Sequence, residues 1–352
     1  MKKTLLALAA LTAFAGAASA QSSVTVFGIV DLSVNQINNS SAGTVSVLSS
    51  DGLNSNRLGF RGIEDLGGGL RAGFWIEGGM ANDTGTGGGP GGAMVWTRRS
   101  TLSLLANWGE IRMGRDYAAT FSNKTQYDPF GTNGLASELN LESVGLSQSS
   151  STLVRISNSV AYILPAMGGL FGNFQVAAGE NTTAQKYYGG RLGYAAGPFS
   201  IAGAYGITPK TGSMLTDYKD TNFGGSWAFG PFALMGQWGK TEYNSLSQEK
   251  WLVGGTWTMG QGTLKASYVK ADGSGTYTTP TGVKVGLSGD QFGLGYQYDL
   301  SKRTALYTTY AKISNGGDAA TGSRFSVQQG GPAMKFGGES SSGFAVGMRH
   351  SF

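Results

Sequence analysis

The sequence predicts an all-β fold, a 16-stranded antiparallel transmembrane β-barrel with an inward-folded third loop. Three observations predict it. An export signal is followed by no apolar run long enough for a spanning helix; segments of roughly ten residues with period-2 patterning recur through the chain; and the last strand ends in a phenylalanine.

The N-terminal segment has the order that a signal peptidase requires. Lys2 and Lys3 form a positive n-region, Leu5 to Ala18 an apolar run, and Ala18-Ser19-Ala20 a small-residue cleavage site. Residues 1–20 are therefore expected to be a signal peptide and 21–352 the barrel. A buried N-terminal helix is the alternative, but it needs neither the leading charge nor the small-residue site. Composition agrees with a barrel: Gly supplies 59 of 352 residues, far above the usual share of about 7%, and charged residues only 13%. Gly at that frequency undermines helices. The chain has no cysteine. A chain exported through an oxidising compartment could have used disulfides, so its stability is expected to come from an extended hydrogen-bonded framework.

In the first segment Val24, Val26, Val30, Leu32 and Val34 share one face, and Thr25, Ile29, Asp31, Ser33 and Asn35 the other. A strand that meets lipid on one side and water on the other needs this alternation. The last segment repeats it, with Phe344, Val346, Met348, His350 and Phe352 on one face. Tight turns rich in Gly, Pro, Asn and Asp are expected near 64–69, 106–109, 165–169, 195–198, 229–231, 259–262 and 299–303. Loops are expected near 37–52, 81–94, 117–150, 181–185, 210–219, 244–248, 272–287 and 314–338. Seven turns and eight loops connect sixteen strands, an even number that leaves both termini on the periplasmic side of a closed barrel. Such a barrel is too wide for side chains to fill and encloses an aqueous channel. Phe27, Trp75, Trp96, Phe199, Phe232, Trp251, Tyr307 and Phe352 lie near strand ends, where interfacial girdles form; ordinary strand packing is the other reading of any one of them.

The 117–150 connection is the longest, and an unstructured loop of that length is generally functional. Inside a wide barrel it can fold inward and narrow the lumen; the alternative is an external loop. Arg57 and Arg61 alternate with Leu58 and Phe60 and so face the lumen. Arg155 does the same by parity, on a face continued by Ser157 and Ser159. Of the Arg98-Arg99 pair, parity with Thr101 and Ser103 assigns Arg99 to the lumen and Arg98 to the outside or the rim. Arginines gathered at one level imply water and a positive potential, hence anion attraction. Each has two compatible readings, an ion pair that holds the long loop and a contact to passing ions. Glu77, inward by parity, and the loop acids Glu138 and Glu142 are expected either to pair with arginines or to form an opposing negative wall.

Several segments resemble those of the trimeric general porins of β-proteobacteria: SVTVFGIVD from Ser23, RLGFRGIEDLGGGL from Arg57, GFWIE from Gly73, RRSTLS from Arg98, GEIRMGRD from Gly109, LSKRTALY from Leu300 and GMRHSF ending at Phe352. The resemblance implies a homotrimer, an inward third loop and, in the branch with an arginine cluster, anion preference. Arg57 and Arg155 match constriction arginines, and the Arg98-Arg99 pair contains a third. The expected location is the outer membrane, with outer-membrane lipids, lipopolysaccharide and the barrel-assembly machinery as partners, Phe352 as the insertion signal, and small hydrophilic solutes and ions as cargo.

Other functions fit less well. A barrel enzyme ordinarily needs a general base, and the single histidine, His350, lies on the apolar face two residues from the end. Without Cys or clustered His and carboxylates no metal site or cofactor is expected. After loss of Lys2 and Lys3, 24 basic against 21 acidic residues leave a net charge of +3, too small to point to nucleic acid. A substrate-specific, plugged or adhesive barrel is the alternative to a diffusion channel.

Overall fold

The computed structural model describes residues 23–142, 146, 152–181, 185–212, 214–279, 281–328 and 332–352. The expected signal segment and cleavage site lie outside the described residues. The main sheet contains 18 strands. Two are short loop strands, Thr44–Ser50 and Thr86–Gly87; the other sixteen are the barrel staves. In chain order these are β1 (Ser23–Asn39), β2 (Arg57–Gly67), β3 (Leu70–Ala81), β4 (Arg99–Ala106), β5 (Gly109–Tyr117), β6 (Arg155–Ile163), β7 (Leu170–Ala177) and β8 (Tyr187–Ala196). They continue as β9 (Phe199–Thr208), β10 (Tyr218–Phe229), β11 (Phe232–Tyr243), β12 (Leu246–Met259), β13 (Gly262–Ser274), β14 (Gly289–Asp299), β15 (Thr304–Asn315) and β16 (Ser340–Ser351).

Each stave pairs antiparallel with the next, and β1 closes the ring on β16 with Asp31 opposite Arg349. The last residue completes the seam: the Gly28 amide donates to the Phe352 carbonyl and the Phe352 amide to that of Gly28, both at 3.1 Å. Closure leaves no unpaired edge, which hydrocarbon would not tolerate. The period-2 reading of β1 holds. Val24, Val26 and Val34 expose more than half their surface outward, whereas Asp31, Ser33 and Asn35 are buried on the inner face.

The loops carry more structure than the sequence patterns imply. Thr44–Ser50 folds back along the upper half of β1, so the 37–52 loop is largely a hairpin. The 244–248 loop shrinks to a tight reversal between β11 and β12. The long third loop is not unstructured: it contains the helix α1 (Ala119–Gln126) and a 3-10 turn (Glu138–Leu141). Its apolar side chains Phe130, Leu135, Ala136 and Leu141 join inward wall residues Leu252, Val269 and Ile313 and the eighth-loop residues Phe325 and Val327 in a core inside the barrel. The lumen is therefore partly packed on its loop side by the third loop, which folds inward as expected, and by the eighth, which was not expected there.

Wall glycines make room for that packing. Gly224 on β10 faces the ring of Tyr127, and Gly293 on β14 faces Ala136 and Phe130; a Cβ at either position would overlap the loop. Of the expected girdle, Phe199, Phe232, Trp251, Trp96 and Phe352 are exposed outward. Phe199, Trp227, Phe229, Phe232 and Trp257 make a run of ring contacts beside the 229–231 turn. Phe27, Trp75 and Tyr307 instead face inward: the first two pack on each other and on Arg61, and Tyr307 donates to Asp31 at 2.5 Å. Their odd-numbered register with Arg61 and Asp31 decides this, not their nearness to strand ends.

Gly224→Val is expected to push Tyr127 off the wall, at an overpacking cost of about 1–3 kcal/mol. The expected readout is a lower unfolding temperature in detergent together with a raised single-channel conductance.

Candidate functional site

The site lies where the described parts of the third loop, 118–142, 146 and 152–154, meet the inner wall, and it is built from three sets of contacts. The first pins the loop to the wall opposite the arginines. Lys124 of α1 reaches Asp220 on β10 at 2.8 Å, and both side chains are about 3% exposed. Asn123 donates to Asn222 at 2.8 Å, and Asn222 donates to the carbonyl of Thr120 at 3.2 Å. Farther along, Lys250 on β12 reaches Glu142 at 2.5 Å and Glu138 at 3.8 Å. Gln248 and Gln291 donate to the carbonyls of Leu141 and Ser137 at 2.9 and 3.0 Å. Glu138 and Glu142 are thus buried partners of Lys250. Among the described residues they neither pair with arginines nor form an opposing negative wall, and Lys124 and Lys250 are loop-holding cations that strand parity did not single out.

The second set holds the arginines. Glu77 on β3 lies 3.2 Å from Arg57 and 2.5 Å from Arg98. Tyr117, at the end of β5, accepts from Arg98 at 3.1 Å and from Arg155 at 3.2 Å. Arg155 also donates to the carbonyl of Arg98 at 2.9 Å, and Arg57 to that of Ser55 at 2.9 Å. One carboxylate and one phenol thus gather three guanidiniums, and the cluster keeps a net positive charge of about two.

Parity misassigned Arg98 alone, because β4 begins at Arg99, so Arg98 precedes the pleat and turns inward to Glu77. Arg99 does face the lumen, but one level nearer the turns, over the ring of Trp75 at 4.5 Å and 3.7 Å from Asp116. Arg155 reaches the cluster by a route that parity did not describe. A register shift between Gly114 and Asp116, with Asn158 at a φ of 54°, breaks the alternation, so that Ile156 is buried against Phe121 and Tyr187. Arg155 then reaches the cluster from the strand's end. Arg61 sits well below this group.

The third set is the lining. A cavity of about 570 Å³ is bounded by Arg57, Arg98, Arg155 and, from β13, Lys265, with the third loop on its other side. Lys265 is a wall cation that the sequence patterns did not mark. Asp128 is the single acid among the lining residues. Burial and the neighbouring Glu138 push its carboxyl up to about 6, even though it accepts from the amides of Phe130, Thr132 and Glu138. The tail of the first loop also turns inward: Asp31 accepts from the amides of Leu53 and Asn54, and Ser55 donates to Asn133 of the third loop at 2.6 Å. His350 lies at the turn-side rim against the hydroxyl of Thr304, away from this cluster.

Comparison with known proteins decides the family. The Gram-negative porin family matches residues 7–318. The chain belongs to that family. It is 35% identical to outer membrane porin protein 32 of Delftia acidovorans, over all of both chains, and 28% identical to an outer membrane porin protein of Bordetella pertussis, over 89% of this chain and 94% of that one. Among solved structures it superimposes on an anion-selective porin from Comamonas acidovorans with a TM-score of 0.80 and 32% identity, covering 94% of this chain and 100% of that one. The chain is an integral β-barrel protein of the outer membrane and forms a channel for passive diffusion.

Two outcomes follow from the loop contacts. Lys250→Met leaves Glu138 and Glu142 buried without their cation, a defect of about 3–5 kcal/mol. Noisier open-channel current and faster proteolysis within the third loop are expected. The second concerns pH. Burial alone would raise the carboxyl of Glu142, but Lys250 and Lys124 outweigh it and hold it below the usual carboxylate range. A depressed carboxyl adds stability that is complete above its unfolded pKa and is lost as the pH falls through the folded value. The Glu142 tether is therefore expected to hold from pH 7 to about 5, read as unchanged proteolysis within the third loop, with any loosening confined to more acid solution.

Proposed function

We propose that the channel prefers small anions over cations, and that the wall arginines Arg57, Arg98 and Arg155, helped by Lys265, set this preference. The observation that carries the reading is the charge of the cavity lining, four basic side chains against Asp128. The loop charges are largely taken up by wall partners of opposite sign, Lys124 by Asp220 and both Glu138 and Glu142 by Lys250, which leaves about one negative charge, buried and away from the arginines. Guanidiniums in a narrow, low-dielectric section focus a positive potential on passing ions. The relative from Comamonas acidovorans that is described as anion-selective supports the same reading.

The working form we infer is a homotrimer in contact with outer-membrane lipids and lipopolysaccharide. Residues 1–20 would be removed on export, and the barrel-assembly machinery would recognise the strand that ends at Phe352. The exposed Phe344, Val346, Met348 and Phe352 stripe supports that last role. No catalytic function is proposed.

Reversal potentials in a potassium chloride gradient test the selectivity. In dilute salt the potential is expected on the chloride side, and it should move toward neutrality in concentrated salt as the Debye length falls from about 10 Å at 0.1 M to about 3 Å at 1 M. A potassium-side potential in dilute salt would refute the proposal.

A further inference from the structure

A second positive cluster lies in the lumen below the constriction. Arg61 is four residues along β2 from Arg57, about 13 Å nearer the turn end at roughly 3.3 Å per residue. Its guanidinium lies over two rings, 5.2 Å from the centre of Phe27 and 5.0 Å from that of Trp75. Trp75 is fixed in turn, its indole N–H donating to Glu77 at 3.1 Å. Arg99 packs on the same indole. A cavity of about 360 Å³ opens here between Arg61, Arg99 and Arg112, with Ile63 and Leu105 as its apolar wall.

The three arginines are not equivalent. Arg112 is held by Glu110 and Asp116, each at 2.7 Å. Arg99 lies near Asp116 and donates to Thr101. Arg61 has no carboxylate partner among the described residues, and it is exposed to the lumen. Stacking on aromatic rings occupies the faces of a guanidinium and leaves its N–H edge free for a bidentate bond to a carboxylate. Beside that edge stands a hydrocarbon surface, with Ile63 half exposed. A bare inorganic anion gains nothing from Ile63 and Leu105, whereas an anion with an apolar body covers them.

We propose that this cavity is a second anion subsite, in series with the constriction, for small carboxylates that carry an apolar body, with Arg61 binding the carboxylate and Ile63 and Leu105 the hydrocarbon. Two weak sites along one path let a solute leave the first by occupying the second, which favours passage over trapping.

Benzoate and acetate are the probes, added at equal concentration to single channels carrying potassium chloride current. Benzoate is expected to reduce the chloride current at concentrations where acetate does not. Arg61→Gln should weaken the benzoate effect roughly tenfold, as for loss of a charge-assisted hydrogen bond. Ile63→Ser should weaken benzoate and leave acetate as it was. Calorimetric titration of benzoate into the detergent-solubilised protein and both variants gives the same comparison without relying on conduction. It separates this proposal from the open-channel, anion-preferring reading on which it rests, because that reading is judged by the potassium chloride reversal potential. Equal action of benzoate and acetate on the wild type, or benzoate binding unchanged in Arg61→Gln, would overturn the subsite.

Discussion

The placement of a single carboxylate, Glu77, governs the lumen. It bonds Arg57 and Arg98, and it accepts the indole N–H of Trp75, on which Arg61 and Arg99 stack. Several guanidiniums brought together would repel one another, and a carboxylate at their centre offsets that repulsion without cancelling the charge of the group. Because Glu77 sits on a closed, fully paired wall, the cluster is held by rigid elements and not by a mobile loop.

The third loop has the complementary task. Its charges are buried against Asp220 and Lys250, its apolar residues fill a small core inside the barrel, and Gly224 and Gly293 let it lie close to the wall. On the proposed reading the loop narrows the passage, and the wall supplies the field.

The barrel itself was legible in the sequence, because alternation in segments such as Val24 to Asn35 follows directly from lipid on one side and water on the other. The inward orientation of Arg57, Arg61, Arg99 and Glu77 was legible for the same reason. Parity stops at the end of the pleat, which is why Arg98 turned inward against the rule and why the bulge near Asn158 altered the path to Arg155. The roles of Glu138 and Glu142 were not legible, since their partner Lys250 lies more than a hundred residues away and its register depends on the closed ring. Phe27 and Trp75 were placed by their nearness to strand ends, although their register with Arg61 is the better guide to the side they face.

The central claim is that wall arginines, and not the loop, determine which ions pass. Its most direct test is the chloride-to-potassium permeability ratio of a channel carrying Arg57→Gln, Arg98→Gln and Arg155→Gln together, measured in dilute salt beside the wild type. The account predicts that the ratio falls toward that of free diffusion while the barrel stays folded and conducting. A folded, conducting triple variant that kept the wild-type ratio would contradict it.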